Sequence, residues 1–235
     1  MQINILKGVV LSLLLLNTSF AAEKVLKVGT AGDYKPLTWY DVKTKRFSGT
    51  DIQLVKAFAK ANDYKIQWIK TTWPNLSKDL AQEKFQMAIG GISLTPAREK
   101  QFLTSQALET SGKMALIRCK DKKKYSNLSS IDQFFVKVVE NRGGTNEAFA
   151  LKNLHKATIV LVPNNHLPFV YLNRHWADVM FTDSIEAKYQ QSLNHGLCAV
   201  TQYQYDPVSK IALFLKNETQ LKNQFDHWLE NNNHK

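Results

Sequence analysis

The stretch TDIQLVKAFAKANDYKIQWIK (residues 50–70) carries two periodicities in succession. Ile52, Val55, Phe58 and Ala59 recur at helical spacing over 50–62, and residues 64–70 then alternate as a half-buried strand does. A helix leading straight into a strand is the joint of a β-α-β unit, in which the helix carries the chain back across the sheet and the strands run parallel. The flanks fit. VLKVGTA (25–31) reads as a buried strand, WPNLSKDLAQEK (73–84) as a second helix started by its proline, and FQMAIGGISL (85–94) as a third strand running into a Gly-Gly break.

A second series follows. FVKVVE (135–140), ATIVLV (157–162), ADVMF (177–181) and CAVTQYQ (198–204) read as strands. TNEAFALKNL (145–154), LPFVYLNRH (167–175) and SIEAKYQQSL (184–193) read as helices between them, and KIALFLK with a terminal helix closes the chain. Two α/β series of similar size predict two lobes, residues 22–117 with 202–235 forming the first and 118–201 the second. A ligand crevice is expected where strand C-terminal ends from both lobes converge.

Residues 1–21 read as an export signal. Lys7 precedes the apolar run GVVLSLLLL (8–16), which is too short to span a bilayer, and Ser19 and Ala21 are small residues two apart. Cleavage after Ala21 predicts an exported protein, in a bacterial periplasm, without stable membrane anchoring. The formal net charge is +11, but the lysines are scattered and KDKKK (120–124), the dense run, reads as a solvated turn. With the export signal, this argues against nucleic acid as a partner and for a moderate field that attracts small anions. Cys119 and Cys198 are the two cysteines, and an even count in an exported chain predicts one disulfide. No CxxC and no His/Cys cluster with ligand spacing occurs, so neither metal nor cofactor is expected. A homo-oligomer is compatible with the sequence.

No nucleophile elbow, phosphate loop or dinucleotide fingerprint is present. The candidate residues sit at predicted strand ends, and each admits two readings. In GGISLTPAREK (90–100), Gly91 and its neighbour free backbone N–H groups for a ligand, Ser93 and Thr95 offer hydroxyls, and Arg98 offers a fork for a carboxylate; the same residues fit a Thr-Pro helix start with a surface arginine. In ENRGGTNEAF (140–149), a helix start near Thr145 offers N–H groups to an anion, or Thr145 simply caps it. Tyr34 and Trp73 fit apolar walls against a ring, or core aromatics. In MFTDSIEAKYQ (180–190), Asp183 and Glu186 fit a capping box, a site for a cation, or an acid–base pair. A glutamate that caps a helix is held charged, whereas one facing a closed apolar cleft is pushed upward and keeps its proton.

Together these segments resemble the periplasmic solute-binding proteins specific for polar amino acids. VGTAGDYKPL, GTDIQLVKAFAK, AIGGISLTPAREK, TSGK, GGTNEAF and ADVMFTDSIEA carry the resemblance over essentially the whole mature chain. It implies an α/β, two-lobed periplasmic-binding-protein-like fold (type II) with the ligand cleft between the lobes. It also implies Arg98 on the ligand α-carboxylate, Thr145 beside it, and Asp183 on the α-amino group. GDYKPLTWY, TTWPNLSKDL, IGGIS, GKMALIRC, GGTNEAFA, FTDSIEAKYQ and CAV are similar, more closely, to the cyclohexadienyl dehydratases, enzymes on the same scaffold. Glu186 matches their general acid, where transport binders typically carry an apolar residue.

That resemblance implies decarboxylating dehydration of prephenate to phenylpyruvate, of L-arogenate to L-phenylalanine, or of both, without a cofactor. Arg98 and Thr145 would bind carboxylate groups, Asn146 would add a hydrogen bond, Tyr34 and Trp73 would pack the ring, and Glu186 would protonate the leaving oxygen. The alternative is an amino-acid-binding protein of an ABC transporter. Two segments depart from the enzyme pattern: Arg142 stands where NPGGTN has proline, and LTSQALET (103–110) replaces the FSxPY stretch.

Overall fold

The computed structural model describes residues 23–232; the export-signal reading of 1–21 lies outside the described residues. Strand β1 (Lys24–Thr30) is followed by β2 (Asp33–Tyr34), β3 (Thr38–Asp41) and β4 (Arg46–Ser48), which form a separate antiparallel sheet. Strands of two to four residues are too short to show a period, so the sequence does not announce them. Helix α1 (Thr50–Ala61), β5 (Tyr64–Lys70), α2 (Leu76–Ala81) and β6 (Met87–Ser93) complete the first series. As predicted, β1 pairs parallel with both β5 and β6. Helix α2 does not start at its proline. Pro74 sits in a turn in which the N–H groups of Asn75 and Leu76 both bind the Thr72 carbonyl, and the helix begins beyond it.

The chain continues through α3 (Pro96–Gln101), β7 (Leu103–Thr104), β8 (Glu109–Arg118), α4 (Leu128–Ile131), β9 (Lys137–Asn141) and α5 (Thr145–Asn153). Then come β10 (Thr158–Val162), α6 (Leu167–Asn173), β11 (Val179–Asp183), α7 (Ser184–Ser192), β12 (Leu197–Ala199), β13 (Tyr205–Phe214) and α8 (Thr219–Asn232). The main sheet runs β10-β9-β11-β8-β13-β6-β1-β5, with β12 added on β8 and β7 on β13. The two longest strands, β8 and β13, pair antiparallel and join the two series. The sequence gives little sign of β8 because eight successive residues, Ser111 to Arg118, are buried, so no alternation marks it.

Apolar residues gather in separate cores. Leu26, Val28, Phe58, Met87 and Phe214 pack with Leu221, Phe225 and Leu229 of α8. Ile117, Val138, Phe149, Val179 and Phe181 form another, built on β8, β9, β11 and α5. Each such side chain contributes roughly 1.5–3 kcal/mol on burial, which fixes the terminal helix to the first series. Cys119 and Cys198 are bonded, as expected, across 79 positions of sequence.

Candidate active site

Asp183 ends β11 and stands at the N-cap of α7, but its side chain makes no hydrogen bond to the helix. The capping box is therefore not formed, because stronger charged donors hold the carboxylate. Oδ1 accepts from Lys113 Nζ at 2.9 Å, and Oδ2 accepts from Lys210 Nζ at 2.5 Å and from the Tyr34 hydroxyl at 2.6 Å. Sheet register sets this up. Lys113 lies directly opposite Asp183 across the β8–β11 pair, and Lys210 opposite Ser93 across β13–β6. Burial pushes the Asp183 carboxyl up, but the charges of Lys113 and Lys210, with the Lys210 and Tyr34 hydrogen bonds, hold it well below the usual carboxylate range.

Glu186, in the first turn of α7, is fully buried and does not reach back to Asp183. Its Oε2 accepts from the Thr182 hydroxyl at 2.6 Å and its Oε1 from Asn165 Nδ2 at 2.8 Å. Burial pushes its carboxyl up to about 8, against the lowering effect of those two bonds and with help from the charges of Asp183 and Asp33. Two carboxyls three positions apart are thus driven in opposite directions. Asn165 also ties the two series together. Its backbone N–H donates to Asp33 Oδ2 at 3.0 Å and its Nδ2 to the Asp33 carbonyl at 3.2 Å, while Asp33 Oδ1 accepts from Trp73 Nε1 at 3.0 Å.

The remaining candidates converge on the same point. The helix start of the arginine segment forms, since Thr95 caps α3 by accepting the Arg98 N–H at 3.3 Å, but Arg98 is not a surface arginine: its guanidinium turns inward, donating from Nη1 to the Ser93 carbonyl at 2.5 Å. Thr145 is not the cap of α5; Gly144 is. The Thr145 hydroxyl instead accepts from Lys113 Nζ at 2.8 Å and lies 3.4 Å from Ser93 Oγ, while Asn146 Oδ1 accepts from Lys113 Nζ at 2.5 Å. Lys210 Nζ also donates to Ser93 Oγ at 2.8 Å.

Gly91 differs from expectation. Its N–H is not free for a ligand, since it donates to Asp51 Oδ2 at 2.9 Å. Glycine is needed for space: φ is +76°, and a Cβ there would lie 2.5 Å from Tyr34 Cε1. The residue admits the Tyr34 ring, which meets Trp73 edge-on at 6.0 Å.

Tyr34, Trp73, Gly91, Ser93, Arg98, Thr145, Asn146 and Asp183 all line one small cavity, with room for about one water molecule. Glu186 is not in its wall; Asn165, to which it is bonded, is. Two further acceptors in the wall, Asn141 Oδ1 and Asn165 Oδ1, are buried without a hydrogen-bond partner among the described residues. Sequence reasoning missed Lys113, Lys210, Asn165, Asp33 and Thr182. The two lysines leave a trace, since each directly precedes an apolar run, KMALI and KIALF; a lysine inside a buried strand demands a partner. The other three leave none.

The model of the bacterial extracellular solute-binding proteins, family 3, matches residues 26–235. The chain belongs to that family. Its fold is the mixed α/β, two-lobed fold of those proteins, and its ligand is a small molecule. Among curated family relatives, a cyclohexadienyl dehydratase of Pseudomonas aeruginosa is 36% identical over 205 residues, 87% of this chain and 76% of the relative. The lysine/arginine/ornithine-binding periplasmic protein of Escherichia coli is 24% identical over 209 residues, 88% of this chain and 75% of the relative. Among solved structures, an ancestral amino acid-binding protein described as a precursor of cyclohexadienyl dehydratase superposes with a TM-score of 0.82 at 30% identity, covering 88% of each chain. Among the described residues of this family member, no helix is long and apolar enough to cross a membrane.

Proposed function

We propose that the protein is an exported cyclohexadienyl dehydratase of the periplasm, acting on prephenate, L-arogenate or both by general-acid catalysis. The observation that carries this reading is Glu186: a wholly buried carboxyl, bonded to a residue of the cavity wall and pushed up to about 8, so that it holds a proton at neutral pH. The similarity to the P. aeruginosa dehydratase supports it independently. The lobes of the proposed enzyme are residues 22–117 with 202–235, and 118–201.

In this reading the Arg98 guanidinium and Thr145 receive substrate carboxylates, Asn146 and Ser93 hold the lysines that shape the site, and Tyr34 and Trp73 flank the ring. The C4–O bond breaks as Glu186 delivers its proton to the departing hydroxyl, which leaves as water. The electron pair of the ring-carbon–carboxylate bond flows into the ring, which becomes aromatic as carbon dioxide departs. The Glu186 carboxylate then regains its proton from solvent. A positioned donor of this kind contributes about 10²–10⁴-fold, and a closed cleft adds orientation and excludes water. A cavity this small admits a six-membered ring only when the lobes part.

The test is incubation of the mature protein with prephenate at neutral pH, following phenylpyruvate. Turnover is expected. Tight binding of a proteinogenic amino acid with no turnover would instead establish the transporter-binding role of the more distant relatives.

A further inference from the structure

Two charged side chains line the cavity, Arg98 and Asp183. A site that holds an amino acid must give the ligand's ammonium group a carboxylate with free lone pairs, because a buried cation without a counter-charge is costly. Asp183 is the carboxylate in position to do so, and it is already engaged. Both of its oxygens accept from a lysine ammonium, and Oδ2 accepts from Tyr34 as well. Lys113 and Lys210 are 3% and 1% exposed, so solvent does not screen them. Asp51 and Glu109 also lie in the field of Lys210, but Asp51 is turned onto the Gly91 N–H and neither lines the cavity.

A ligand ammonium reaching Asp183 would be the third cation on one carboxylate. The unpartnered Oδ1 atoms of Asn141 and Asn165 offer it neutral acceptors without charge, and they suit a hydroxyl equally well. Conversely, Arg98 uses Nη1 on the Ser93 carbonyl, while its Nε and Nη2 have no side-chain or backbone acceptor among the described residues. Those donors match a 2-oxo carboxylate, which presents acceptors alone.

We propose that this cleft selects the 2-oxo form of its substrate over the amino form, prephenate over L-arogenate, because Lys113, Lys210 and Tyr34 occupy the carboxylate that an ammonium group would need. The inference rests on the dehydratase reading and sharpens it. Lys113 and Lys210 become the residues that set specificity, by neutralising Asp183 and by repelling a ligand cation.

Two measurements test it. Wild-type kcat/KM is compared for prephenate and L-arogenate, and the dissociation constants of both are measured by calorimetry on Glu186→Gln, where turnover does not intrude. Prephenate is expected to be favoured at least about tenfold in each. L-Arogenate equal or better, or no binding of prephenate, overturns the selectivity. Turnover of both with arogenate preferred leaves the dehydratase reading intact, whereas turnover of neither removes that reading, and the calorimetric comparison still decides the selectivity. Lys210→Met, which frees one contact of Asp183 Oδ2, is expected to move the prephenate-to-arogenate ratio about tenfold toward arogenate. Tyr34→Phe, which frees the same oxygen without removing a charge, should move it less and in the same direction. An unchanged ratio in folded Lys210→Met or, should that variant not fold, in Tyr34→Phe overturns the assignment.

Discussion

Glu186→Gln separates the acid role from a structural one, because its effects on activity and on stability have opposite signs. Glutamine reproduces the protonated side chain. Its carbonyl can keep the Asn165 Nδ2 bond of 2.8 Å, and its amide can donate to the Thr182 hydroxyl, which sits 2.6 Å from Oε2 and accepts as readily as it donates. In the wild type the carboxyl is raised from 4.5 to about 8 on folding. Between those values the folded chain keeps a proton that the unfolded chain has lost, so wild-type stability falls as pH rises, by about 1.4 kcal/mol per unit. The contribution is complete below the unfolded value and gone above the folded one. The whole span is worth roughly 5 kcal/mol, and about 3 kcal/mol of it is lost by pH 7. Glutamine has no such proton to lose. Other shifted groups titrate in both proteins, so the difference between the two stability curves isolates Glu186. Urea unfolding of both at pH 5, 6, 7, 8 and 9 should give a variant-minus-wild-type difference that climbs by about 1.4 kcal/mol per unit and levels off above 8. Prephenate turnover should meanwhile fall about 10²–10⁴-fold. A difference that stays flat with pH would show that Glu186 is not kept protonated, and near-wild-type turnover would remove it from the proton-donor role.

Three further outcomes are expected. Initial rates at saturating prephenate should be level through neutral pH and decline with a midpoint near 8, where Glu186 gives up its proton; rates unchanged to pH 9.5 would contradict the assignment. Asn165→Leu removes the donor at Oε1 and the tie to Asp33, and kcat/KM should fall about 10–100-fold. Because that hydrogen bond favours the charged carboxyl, the basic limb should also move to higher pH, a shift that loss of packing alone would not produce. Replacing Cys119 and Cys198 together by serine opens a loop of 79 positions and should lower the unfolding free energy by roughly 4 kcal/mol, as read by urea titration against the oxidised wild type; no change would mean that the link does not restrain the unfolded chain.

Helix α1 was legible because one face of it alone is buried, with Ile52, Val55, Phe58 and Ala59 at helical spacing. Strand β8 was not, because burial on both faces erases alternation. The same division runs through the site. Arg98, Thr145 and Asp183 were found because they sit beside glycines or helix starts, where local chemistry advertises a ligand. Lys113 and Lys210 acquire their meaning from register: one faces Asp183, 70 positions away, and the other bonds it from 27 positions away. No local window joins such residues, and a lysine taken alone reads as surface. Asn165 belongs to a connecting loop, and its bond to Glu186 exists only because β11 and α7 come back beneath that loop. The capping box for Asp183 and Glu186 failed for a related reason. The distant lysines hold the Asp183 carboxylate more strongly than a local backbone N–H would.

Burial and a raised pKa do not by themselves mark a catalytic carboxyl, and the protein contains its own control. Glu140, on β9, is as fully buried as Glu186, and burial likewise pushes it well above the usual range, against the Phe181 N–H and the charge of Lys113. Its Oε1 accepts that N–H at 2.6 Å, while Oε2 has no partner among the described residues. Both glutamates therefore cost stability as pH rises. They differ in what they adjoin. Neither side chain lines the cavity, but Glu186 is bonded to a residue of its wall, whereas Glu140 is bonded to the backbone of the sheet. If chemistry is what retains the carboxyl at 186, then Glu140→Gln should share the stabilising effect above neutral pH while keeping turnover within about tenfold of wild type, the range expected when no transition-state contact is lost. Equal losses of turnover in the two variants would mean that the buried carboxyls matter to the site as a whole, and the case for Glu186 as the individual proton donor would fall with them.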